Sequence, residues 1–84
     1  MSNELIIPLP FRYPEKDSIW RHFKGTDYKV ISIALDSDDL TWQVIYQRLD
    51  DSESNWWIRD VKEWYDVVES ESGVIRRFTY VGKL

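Results

Sequence analysis

Apolar and polar residues alternate along most of this chain in short runs, and that period of two predicts strands rather than helices. In Ser18–Lys24, Trp20, His22 and Lys24 fall on one face, with Ile19, Arg21 and Phe23 on the other. Gly25-Thr26-Asp27 is a turn signal. Tyr28–Leu35 is β-branched and apolar on both faces, the pattern of a central strand. Across the polar loop Asp36–Leu40, Thr41–Leu49 predicts its antiparallel partner.

After a second acidic loop, "DDSESN", the pattern predicts a short strand at Trp56–Arg59. One helical turn follows at Asp60–Asp66, with Asp60 as N-cap and Glu63 placed for a capping box. Glu69–Gly73 is expected as a tight connection and Val74–Val81 as the last strand. Several short strands in so small a chain predict closure on themselves, since closure protects exposed edges. The expected fold is mainly all-β, a small barrel or roll of about five strands with one short helical turn.

Residues 1–17 differ from the rest. Pro8, Pro10 and Pro14 fix the backbone and remove donors, so this segment reads as an extended arm laid on the core or on a partner. Residues 18–84 form the expected domain. At 84 residues the chain has one core, and five Trp, five Tyr and three Phe supply most of its apolar area.

Charge narrows the function. The net charge is −4; residues 31–75 hold eleven acids against three Lys or Arg, and residues 76–84 hold three basic residues and no acid. A general nucleic-acid binder needs a broad basic field, which this distribution does not offer. Without cysteine there is no disulfide, thiolate or Cys-ligated zinc. The start has neither a basic signal-peptide region nor an unbroken apolar span, so a cytoplasmic chain without membrane association is expected. Neither acidic loop has the spacing of a calcium loop, and no metal or cofactor is expected. No spacing sets a nucleophile or carboxylate beside the single histidine, so the expected class is non-enzymatic.

The candidate binding residues are Arg21, His22, Lys24, Tyr28, Tyr46, Trp57, Arg59 and Arg77. Trp57 and Arg59 share a strand face; if Ile58 turns to the core, an indole and a guanidinium line a groove suited to a flat or anionic ligand. The plainer reading has Arg59 stacked on Trp57 or Trp20 and paired with a nearby Asp. His22 and Lys24 beside the Gly25 turn suit an anion, or else belong to a hairpin whose histidine bonds a buried carbonyl. Tyr28 and Tyr46 line a peptide groove or pack in the core. Which of Arg76 and Arg77 points inward depends on the orientation of the last strand.

The run "HFKGxxYxV" at His22–Val30, then "VxYQxL" at Val44–Leu49, "WxR" at Trp57–Arg59 and "RF" at Arg77-Phe78, resembles the bacterial domain-of-unknown-function family 1653. The resemblance implies an SH3-type barrel and no assigned activity. Asp60 stands where that family usually has proline. Two functions follow: a module for a small anionic ligand, or a protein-interaction module using Tyr28, Tyr46, Trp57 and Trp64 or the arm to dock a partner chain. A monomer or weak homo-oligomer is expected.

Overall fold

The computed structural model of the chain describes residues 6–84. The part of the arm expectation that falls on residues 1–5 lies outside it. Seven strands and one helical turn follow in order: β1 (Ser18–His22), β2 (Asp27–Leu35), β3 (Trp42–Arg48), β4 (Trp57–Asp60), α1 (Val61–Trp64), β5 (Val67–Ser70), β6 (Gly73–Arg76) and β7 (Phe78–Lys83). The main sheet is antiparallel with strand order β4-β3-β2-β1-β7, and β5 and β6 form a separate hairpin. The mainly-β roll anticipated from the alternation is what forms.

Its core is aromatic. Val30, Val44, Tyr46, Val61, Trp64 and Phe78 are buried, and Trp20, Tyr28, Ile33, Trp42 and Tyr65 pack around them. Trp64 is fully buried and lies flat on Phe78, with ring centroids 3.8 Å apart. It meets Tyr46 and Trp20 edge-on at 5.0 and 5.8 Å. One indole from α1 therefore joins residues from β1, β3 and β7, which is how a single helical turn plugs the roll.

Asp60 caps α1, its carboxylate accepting from the Lys62 N–H at 2.7 Å. Glu63 turns to the Arg59 Nη1 at 3.3 Å, so the predicted box gives way to an i,i+4 ion pair. The Asp36–Asp39 carboxylates accept from their own loop: Asp38 N–H donates to Asp36, and Thr41 N–H and Oγ1 both donate to Asp39. These acids build the turn between β2 and β3.

Three expectations need correction. Ile58 is 65% exposed rather than in the core, because β4 is a sheet edge and Ile58 lies on its outer face. The tight connection expected at Glu69–Gly73 is there but shorter, a two-residue turn at Glu71-Ser72, and the strand β5 before it, Val67–Ser70, pairs with Gly73–Arg76. The single last strand is two, broken at Arg77: its N–H donates to the Asp66 carbonyl, and its own carbonyl accepts from the Phe23 N–H, both at 2.9 Å.

The arm lies on the domain. Asp17, with φ 68°, donates its N–H to the Val30 carbonyl and accepts from the Leu84 N–H. Trp42 Nε1 donates to the Pro8 carbonyl at 2.9 Å, and Lys83 pairs with Glu15 at 2.8 Å.

Candidate anion site

In an antiparallel pair, residues directly opposite share a face. Val44 stands opposite Arg59, and Tyr46 opposite Trp57, so both candidates of β4 lie on the inner side of the sheet with the core. Arg59 is half-buried there, while Trp57 at the sheet edge is 50% exposed. The sequence placed Trp57 and Arg59 on one face correctly, but that face is the inner one.

His22 ends β1 opposite Phe78. Its ring meets Phe78 at 5.1 Å and Tyr28 at 6.4 Å, both edge-on, and lies 4.4 Å from Phe23. The Lys24 N–H donates to His22 Nδ1 at 3.2 Å, which leaves the proton of the neutral ring on Nε2. Burial first, then the charges of Arg59, Lys24 and Arg77, push the His22 pKa below its ordinary value. In the sheet order His22 and Arg59 are separated by three strand spacings, about 14 Å on a flat sheet. The charge of Arg59 nonetheless acts on His22.

Of the other candidate residues, Arg59, Lys24 and Arg77 are thus the ones whose charges act on His22. Tyr28 and Tyr46 supply the aromatic floor, their rings 5.2 Å apart and edge-on. Arg21 does not join them. It points to the opposite face, where its guanidinium grips both oxygens of Asp27 at 2.8 and 3.1 Å.

The inner cluster also has an unusual deficit. Among the described residues, the buried side-chain polar atoms without a hydrogen-bond partner are Arg59 Nε, Arg77 Nε and Trp64 Nε1. All three are donors; Trp64 is the indole stacked on Phe78, and Arg59 is the partner of Glu63 through its Nη1. Buried donors seldom go unpaired, since each forfeits about 1–3 kcal/mol of solvation. What this region lacks is an acceptor. No group of three or more His, Asp or Glu among the described residues is placed to hold a metal ion.

Sequence reasoning did not anticipate Trp64 as an unpaired donor. The signal lay in its position four residues after Asp60, the N-cap, where the first helical turn returns to the core.

Two comparisons bear on this arrangement. The chain matches the family model described as protein of unknown function (DUF1653) over residues 18–80, which includes every residue of the cluster but not the arm. It is also similar to the crystal structure of a DUF1653 protein from Bordetella bronchiseptica. The TM-score is 0.71 at 27% identity, over 83% of this chain and 91% of that one. None of the curated proteins compared with the chain matches it significantly.

Proposed function

We propose that this chain, which belongs to the DUF1653 family, is a non-enzymatic binding module that seats a small anion among Lys24, Arg59, Arg77 and His22. The carrying observation is the set of buried donors without acceptors, Arg59 Nε, Arg77 Nε and Trp64 Nε1. An oxyanion supplies several acceptor lone pairs at once, and guanidinium edges match carboxylate and phosphate geometry. Glu63 is the one carboxylate among the described residues that pairs with these cations, so their positive charge is only partly answered. The half-exposed Trp57, two residues from Arg59 on the same face, offers a platform for a flat group carried by the anion. The reading places the module in the cytoplasm, consistent with a chain that lacks cysteine.

Calorimetric titration with inorganic phosphate tests this. Arg59→Ala and Arg77→Ala are each expected to weaken phosphate about tenfold or more, the value of a charge-assisted hydrogen bond. Arg21→Ala, which breaks only the Asp27 pair, leaves affinity unchanged. Equal phosphate affinity in all four proteins would sink the reading. Should Arg59→Ala unfold the domain, Arg59→Lys keeps the charge, loses the planar fork and reads out the same contact.

A second reading, docking of a partner chain through the arm, draws on the exposed Ile6, Leu9 and Phe11. Removing residues 1–11 abolishes assembly under that reading and leaves phosphate binding untouched under the first.

A further inference from the structure

Between the arm and β7 lies an open cleft of about 420 Å3, lined by Arg12, Trp20, Tyr65, Arg76, Phe78, Thr79 and Tyr80. Its walls are aromatic. Trp20 stands edge-on to Tyr65 at 5.9 Å and to Tyr80 at 5.4 Å, so three rings surround the space at steep angles. Its rim is cationic. The Arg12 guanidinium lies 3.8 Å over the Tyr65 ring, a cation held against an aromatic face. Arg76 borders the same space from β6. Neither arginine forms an ion pair among the described residues, although Arg21, Arg48, Arg59 and Lys83 all do.

The cleft is also built rather than incidental. Arg12 comes from the arm, and the arm is fixed on both sides of it, by Trp42 Nε1 on the Pro8 carbonyl and by Lys83 on Glu15. Pro14 between these anchors is buried. The indole of Trp20 is locked by its donation to Ser18 Oγ at 2.9 Å. The aromatic walls and Arg12 are thus set before any ligand arrives, which lowers the ordering cost of binding.

We infer that this cleft is a second binding site, taking a small ligand in which a flat ring carries an oxyanion, either carboxylate or phosphate. The ring lies on the surface that Trp20, Tyr65 and Tyr80 present to the cleft, and the oxyanion reaches Arg12 and Arg76 at its rim. A volume near the lower end of small-ligand pockets suits one such compound. The inference stands apart from the phosphate seat at His22: Arg76 serves this cleft and Arg77 that cluster.

The test is a nuclear magnetic resonance titration of the full chain with phenyl phosphate, and with inorganic phosphate and phenol as its two halves. Phenyl phosphate is expected to move the Trp20 indole and Tyr65 and Tyr80 ring signals together, saturating at lower concentration than either half. Arg12→Ala and Arg76→Ala, both at exposed positions, each weaken that response about tenfold. Arg77→Ala leaves it unchanged. The inference is overturned if these ring signals stay still up to about 10 mM phenyl phosphate. It is equally overturned if both arginine variants respond like the parent. Shifts confined to Arg59 and Arg77 would refute this cleft while supporting the inner seat.

Discussion

His22 is the chain's one histidine, which makes its titration readable in stability measurements. Burial and three neighbouring cations lower its pKa in the folded state. Above the ordinary value of 6.5 the ring is neutral folded or unfolded; below it the unfolded chain takes up a proton that the folded chain resists. Stability therefore falls as pH drops through that window and levels off once the folded ring is protonated too. Urea midpoints measured between about pH 7.5 and 5.5 are expected to decline in the parent and to stay flat in His22→Gln. The lowered carboxylates Glu15, Asp39 and Asp50 act in a separate, more acidic range. Trp64 is the other decisive residue. Trp64→Ala removes the plug of the roll and is expected to cost about 3–5 kcal/mol, measured by urea unfolding. That is a large part of the stability of a domain this size.

At the scale of elements, turns and edges decide what holds. Gly25 closes the β1–β2 turn with φ 101°, whereas Gly82 in β7 has open space around its Cβ position and no such backbone demand. Gly25→Ala is expected to lose about 1 kcal/mol or more through backbone strain, and Gly82→Ala to be near neutral, in thermal unfolding. The strands from β1 to β4 were legible because each has alternation over several residues and is bounded by acidic or glycine turns. The break between β6 and β7 was not. Val74–Val81 contains no glycine or proline, and the interruption arises because Arg77 gives its backbone bonds to Asp66 and Phe23, partners distant in sequence. The side of the sheet on which β4 shows Trp57 and Arg59 was also illegible. Parity fixes which residues share a face; the tertiary roll fixes which face is inside. Ile58 misled because an apolar residue on an edge strand has no obligation to be buried.

For the molecule as a whole, two pairs of arginines contrast. Arg21 and Arg48 are consumed by Asp27 and Asp50 at the surface. Arg59 and Arg77 turn inward and retain unpaired Nε donors around His22. Sequence listed Arg59, Arg77 and His22 one by one, from their chemistry; that both arginine charges act on His22 depends on the fold. The side-chain Nε–H signals of the arginines report that distinction directly. In a phosphate titration followed by nuclear magnetic resonance, the Nε–H signals of Arg59 and Arg77 are expected to move together along one saturation curve, while those of Arg21 and Arg48 remain in place. Movement of all four by the same small amount, or of none, would contradict an anion seat in the roll.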